Sequence, residues 1–445
     1  MKIINHTTCN LHSLHKSEVL PGVSLTCINT DKFKAGCITF NLLCELRRDT
    51  ASLNALLPRV LRRGTKSLPD MDSISAALDD LYGVRIEPVI RKKGEVHCIG
   101  FYADFPDDRY IPGNISLIEK TINIIGEMLL SPAKQDGLLR KDYIESEKSN
   151  LIDDIRAAIN DKRGYAVDRL LEEMCSEEAF GISKLGNEES ALAITDISLS
   201  AHYRDVVRNS MIEVIYCGSA SPERIIAAVK PVFVSMQDRG GQIVPGTKII
   251  YEPVNDTPRH FRESLDVTQG KLTIGFRIGE VMKEPDYPAL MMLNAIYGGS
   301  VSSKLFLNVR ERLSLCYYAS SMTDKHKGLM IVSSGVEFSK FDTALDEILS
   351  QLESVKSGDI SEVELTSAKR AIKTSISSAL DRPGGLEELY FDSIISLIPY
   401  DPIKLGEMVE DVTLDRIVNS ASGIKLDSIY LLSGLENKEV NDETC

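Results

Sequence analysis

Two stretches of the chain alternate apolar and polar positions with the period of a strand: residues 35–45, AGCITFNLLCE, and residues 270–279, GKLTIGFRIG. Each is followed by an apolar segment of helical spacing that closes on glycine, LNALLPRVLRRG (53–64) and PALMMLNAIYGG (288–299). Each then meets a second helix running into a strand, SISAALDDLYGVRIEPVI (73–90) and SSKLFLNVRERLSLCYYASS (302–321). The parallel continues with the strand-like runs EVHCIGFYADF and GLMIVSSGVEF. It extends to the amphipathic helices NISLIEKTINIIGEMLLSP and FDTALDEILSQLESVKSG. Long charged helices follow, LLRKDYIESEKSNLIDDIRAAIND and SEVELTSAKRAIKTSISSALD, and each half ends on a strand, MIEVIYCGSA or SIYLLSG.

One element recurring would mean little, but the same order occurs twice at a spacing of about 235 positions. The pattern predicts an α+β fold of two related domains from an internal duplication, residues 1–236 and 237–445. Each is expected to be a mostly antiparallel sheet covered by helices on one side. The Gly-, Pro-, Asp- and Asn-rich stretch from Gln237 to His260 reads as their connection.

Composition narrows the function classes. Hydrophobic residues make up 43% and charged residues 26%, ordinary for a soluble globular chain. The formal charge of −14 argues against nucleic acid, which calls for a basic patch. No apolar run is long enough to cross a membrane, and no secretory signal opens the chain, so the expected location is cytoplasmic. The nine cysteines are scattered, mostly in apolar runs, and no C-x-x-C pair exists, so they read as core thiols.

Candidate chemistry is sparse. Cys9, His12 and His15 form C-x-x-H-x-x-H, but in what reads as a polar leader, with no carboxylate to complete a set. G-x-S-x-G, a P-loop and a dinucleotide fingerprint are absent. YGGSVSS (297–303) reads as a tight turn at Gly298 and Gly299 with Ser300 or Ser302 as the next N-cap, although such a turn can hold an anion. The following helix carries Leu305, Phe306, Val309 and Leu313 as a core stripe, flanked by Arg310 and Arg312.

YGGSVSSKLFLNVRERLSLCYY, a helix with an arginine seven residues before a tyrosine at a strand, resembles the C-terminal-domain signature of the pitrilysin/insulinase (M16) metallopeptidase family. The likeness runs from about Ile38 to Leu432 and is nearest the short bacterial and mitochondrial-processing-type members, in which two chains make one clamp. The resemblance implies that Arg310 and Tyr317 reach a zinc site and donate hydrogen bonds to the scissile carbonyl oxygen as it gains charge. Tyr318 points the other way along the strand. It also implies an H-x-x-E-H motif on the helix after the first strand, with two zinc-binding histidines, a base, and a glutamate ligand from a later helix.

Here those five positions are Ala55, Leu56, Leu57, Pro58 and Arg59, and the later position falls on Ser149, or on Glu147 with a two-residue shift. Neither histidine is present, a proline replaces the base, and the cationic Arg59 disfavours a dication. Pro58 also lacks an N–H, so its helix is expected to start late or bend. The resemblance therefore implies a chain that holds no cofactor, with zinc only in a partner. That partner is an H-x-x-E-H-bearing homologue in a heterodimer, or a second copy of the chain, and the substrate is a short unfolded peptide. The alternative is a structural or peptide-binding protein of the same fold. No constellation supports an independent enzyme.

Overall fold

The computed structural model describes residues 4–9, 12–113, 115–236, 239, 242–396, 398 and 401–435, with the backbone alone for 4–9. Its strands in chain order begin with β1 (Ile4–Cys9), β2 (His12–Leu20), β3 (Val23–Asn29), β4 (Ala35–Glu45), β5 (Arg85–Lys93) and β6 (Val96–Pro106). A small ribbon, β7 (Lys134–Gln135) and β8 (Leu138–Leu139), precedes β9 (Met211–Gly218). The second half supplies β10 (Arg259–Leu265), β11 (Gly270–Arg277), β12 (Cys316–Asp324), β13 (Leu329–Val336) and β14 (Lys425–Gly434).

Two sheets result, ordered β1-β2-β3-β9-β4-β6-β5 and β10-β14-β11-β13-β12. Without β1 and β2, the first sheet has the strand order of the second. In both, one pair is parallel, β3 with β9 and β10 with β14, and the others are antiparallel. The duplication read from the pattern is thus a duplication of topology. The polar leader is not one: residues 4–9 and 12–20 pair as strands at the edge of the first sheet. The connection also ends earlier than expected, since Arg259 and His260 already belong to β10. Its residues Gln237, Asp238, Gly240 and Gly241 lie outside the described residues.

By contacts the chain forms two compact units. One comprises residues 1–157, 182–247 and 377–401, the other 158–181, 248–376 and 402–445. The duplication and the compact units are therefore cut differently: each unit takes one helical segment from the other half of the chain. In the first unit, the helix Pro383–Ser396 packs on β4 and β9 through Leu386, Tyr390 and Phe391, against Cys37, Cys98, Ile215 and Cys217. In the second, the helix Lys162–Met174 packs on β11 and β14 through Ala166, Leu170 and Met174.

This explains why β4 and β11 are buried on both faces, where helices on one side alone would leave every second residue wet. Gly275 belongs to this packing, because a Cβ there would stand 2.4 Å from Met174 Sδ. In both units a central threonine fixes the incoming helix. Thr39 Oγ1 donates to Glu387 Oε1 at 2.9 Å, and Thr273 Oγ1 donates to the Ala166 carbonyl at 3.1 Å.

Each unit has its own core. The first gathers Ile38, Phe40 and Phe101 of the sheet with Leu56, Leu57, Ile122 and Ile125 of the helices. The second gathers Leu272, Ile274 and Val332 with Leu293, Ile296, Ile348 and Ile417. The seven cysteines with described side chains are free thiols, all buried but the half-buried Cys44. Cys445 and the side chain of Cys9 lie outside the described residues. Among the described residues no helix is long and apolar enough to cross a membrane.

Candidate functional site

The helix Ala51–Leu61 carries the five positions that the family resemblance aligns with a zinc motif. It starts seven residues before Pro58 and runs through it, so the proline does not delay the helix. Ala55, Leu56, Leu57 and Pro58 are buried, together with Val60 and Leu61. Packing accounts for this continuity: burying four large apolar side chains contributes about 1.5–3 kcal/mol each, against about 3 kcal/mol for an internal proline.

Arg59 donates to Asp154 at 2.7 Å, and Arg63, one turn on, donates to Glu147 at 3.1 Å. Both acceptors lie on the helix Lys141–Ala157. Ser149 is exposed on that helix, whereas Glu147 is half-buried and turned to Arg63. The side chains at 55–59 offer zinc no nitrogen, sulfur or carboxylate ligand, and the two nearby carboxylates, Asp154 and Glu147, are each taken by a guanidinium. Zinc does not fit here. Among the described residues no group of three or more His, Cys, Asp or Glu is placed to hold a metal ion. One equivalent of zinc is accordingly expected to leave the melting temperature unchanged. A rise that saturates at one zinc per chain would overturn this. Because Asp154 is largely exposed, Arg59→Ala should cost at most about 1 kcal/mol in a denaturant titration.

One residue before Ala55, the same helix holds a polar cluster that no sequence spacing announces. The buried Asn54 donates from Nδ2 to His97 Nδ1 at 3.2 Å and accepts from His202 Nε2 at 2.7 Å. A cavity of about 80 Å³ opens beside it, lined by Cys44, His202 and Asp205. Burial pushes His97 down to about 4 from 6.5, helped by the charges of Lys92, His202 and Lys184. Burial also lowers His202, with Asp205 and Asp49 pulling the other way. Between pH 6.5 and 4 the unfolded chain binds a proton at position 97 that the folded chain refuses, so stability must fall as pH drops through that window. His97 alone should cost about 2 kcal/mol between pH 7 and pH 5. His97→Leu should flatten that part of the profile in urea titrations at the two pH values.

The two histidines of C-x-x-H-x-x-H do not converge. His12 and His15 stand three apart on β2, hence on opposite faces, and His12 Nε2 is hydrogen-bonded to the Tyr390 hydroxyl at 2.5 Å.

Arg310 and Tyr317 lie on an irregular segment. Leu305–Arg312 is a π-helix: the Leu313 N–H donates to the Asn308 carbonyl, five residues back, at 3.1 Å. Its counterpart in the first half, Met71–Asp79, is an α-helix with a capping box. The wider winding breaks the expected core stripe. Leu305 and Val309 are buried, but Phe306 is half-buried and Leu313 is 43% exposed. The cap also differs, since Ser303 Oγ, not Ser300 or Ser302, accepts the Phe306 N–H. Ser300 Oγ instead donates to the Ala295 carbonyl.

Past the helix, Ser314 takes φ +48°, a left-handed conformation rare for serine. Then β12 bulges between Cys316 and Tyr318 against β13, so Tyr317 is the extra residue and stands 62% exposed. Bulges at sheet edges commonly re-aim a side chain. Arg310 stacks over Phe306 at 4.6 Å and lies 3.4 Å from Glu311, and its charge is felt at the Cys316 thiol, next to Tyr317. One turn and one bulge thus bring a half-buried arginine and an exposed phenol to the same end of the second sheet.

Residues 193–372 match a family model described as "Peptidase M16 inactive domain". The chain is 32% identical over 415 residues to the probable inactive metalloprotease YmfF of Bacillus subtilis, covering 93% of this chain and 96% of that one. It is 24% identical over 312 residues to an uncharacterised zinc protease of the same organism, YmxG, covering 69% and 70%. A conserved protein from Enterococcus faecalis has the same fold, with a TM-score of 0.85 at 24% identity over 95% of this chain and 99% of that one.

Proposed function

The chain belongs to the M16 peptidase family as an inactive member, and on that premise we propose that it is the non-catalytic subunit of a heterodimeric M16-type peptidase. In this reading the partner carries H-x-x-E-H and its zinc, which supplies the activated water. This chain supplies half of a peptide-binding chamber together with Arg310 and Tyr317. Attack on a peptide carbonyl places negative charge on its oxygen, and a guanidinium and a phenol donate to that charge more strongly than to the neutral ground state. The observation that carries the reading is the asymmetry between the two segments. The helix at the zinc-motif positions is filled with apolar side chains, while the Arg–Tyr segment keeps Tyr317 exposed on a bulge and Arg310 partly exposed on a π-helix.

The test is reconstitution of the purified chain with a zinc-motif homologue from the same genome, followed by assay of an unfolded peptide. The mixture is expected to cleave and each chain alone to be silent. Cleavage by the partner alone at the rate of the mixture would remove the role.

A second reading, a silent structural or peptide-binding subunit, is favoured by one feature. Arg310 already has Phe306 and Glu311 to pack with, so it has a local use.

A further inference from the structure

On the face of the second sheet that receives the helix Lys162–Met174, two cations converge on one aromatic ring. The Arg163 guanidinium lies 4.4 Å from the Tyr318 ring centroid and donates to Ser320 Oγ at 2.8 Å. Lys271 Nζ lies 5.9 Å from the same centroid and donates to Gln269 Oε1 at 2.7 Å. Among the described residues neither cation is in an ion pair, in a chain with 65 acidic residues. The ring itself is seated on Gly335, where a Cβ would approach Tyr318 Cε1 to 2.5 Å.

On the same face, the Tyr318 hydroxyl and Ser333 Oγ are buried beside each other, neither with a hydrogen bond of good geometry, and Ser333 is only 2% exposed. Two like charges over one ring repel, and buried hydroxyls left open cost stability. An anion would relieve both. Burial, with no carboxylate to oppose it, already lowers the Lys271 pKa.

We propose that Arg163, Lys271, Tyr318 and Ser333 form a subsite for a carboxylate. The acidic group acting on Tyr318 is Asp161, which caps the helix by accepting the Gly164 N–H at 3.1 Å. With Asp161 counted, the site carries one net positive charge, which suits a monoanion better than a phosphate dianion. A guanidinium edge also matches the two oxygens of a carboxylate. The carboxylate is the chain end or an acidic side chain of a peptide, and only that source rests on the peptide-binding role above.

Reductive methylation with ¹³C lets the Lys271 amine be titrated by NMR, its signal assigned with Lys271→Arg. Ac-Ala-Ala-OH is expected to shift its pKa upward toward the ordinary 10.5, and Ac-Ala-Ala-NH₂ to leave it in place. Arg163→Gln should weaken binding of the acid about tenfold or more. Tyr318→Phe, which removes only the hydroxyl, should weaken it by a smaller factor at a melting temperature no lower than that of the parent chain. No shift with the acid, an equal shift with the amide, or an equal shift with inorganic phosphate would each overturn the subsite. Blocked Ac-Ala-Glu-NH₂ against Ac-Ala-Gln-NH₂ separates a side-chain carboxylate from a chain end. If the dipeptide acid binds but a long unfolded peptide does not, the subsite stands and the chamber reading falls.

Discussion

Arg310→Ala is expected to lower the peptide-cleavage rate of the reconstituted heterodimer by about 10²–10³, the usual loss when one oxyanion donor is removed from a site shielded from water. The loss should fall on kcat with KM little changed, because the interaction strengthens only as the carbonyl oxygen gains charge. Tyr317→Phe should cost less, since a neutral phenol gives a weaker bond than a guanidinium. Arg310→Lys should restore only part of the rate, because an ammonium keeps the charge but loses the planar fork. The free protein should melt normally in all three, since Arg310 is 40% exposed at its side chain and Tyr317 is 62% exposed. An unchanged rate for Arg310→Ala would leave the chain as a wall of the chamber only, which is the second reading.

The largest effect on stability is expected from Asp427→Ala. Asp427 is 2% exposed and accepts from Arg259 Nη2 at 2.8 Å, Arg277 Nε at 3.0 Å and Ser428 Oγ at 2.7 Å. Burial by itself would raise its pKa, but the hydrogen bonds from Arg259, Ser428 and Arg277 hold it below 3.8. Arg277 is fully buried and also donates to Glu178 and to the Met174 carbonyl, the end of the helix Lys162–Met174. Removing Asp427 leaves a buried guanidinium short of an anion, a change that costs about 3–5 kcal/mol. The second unit should then melt roughly 10 °C lower in calorimetry. Asp427→Leu combined with Arg277→Met should cost less than Asp427→Ala, since the fully buried guanidinium leaves together with its anion and only the less buried Arg259 loses a partner. A single-variant cost below about 1 kcal/mol would mean that water already reaches this network.

The fold was legible because its signals are local: strand alternation, glycine closures and helical stripes recur in order in both halves. The exchange of helices was not, because EEL in Pro383–Ser396 reads as a polar face. Only the distant Thr39 and Arg91, which receive Glu387 in a buried bidentate pair, show why that glutamate is inside. The same applies to Asn54, His97 and His202, whose meeting leaves no trace in their spacing. Arg310 and Tyr317 stood out through the family resemblance of their segment, but not the π-turn, Ser314 or the bulge that present them. A helical stripe assumes 3.6 residues per turn, and Leu313 falls out of it where the winding changes.

The exchanged helix also sets a schedule. Cys37, Cys98 and Cys217 line a face that is closed by residues 383–396, yet β9 is complete at Gly218. At about 5–20 residues per second, the ribosome needs roughly 10–30 s to make the chain in between. Throughout that interval the first sheet has one finished layer and one bare apolar face, with its thiols open to solvent. The nascent first half therefore keeps that apolar face unburied until residues 383–396 emerge.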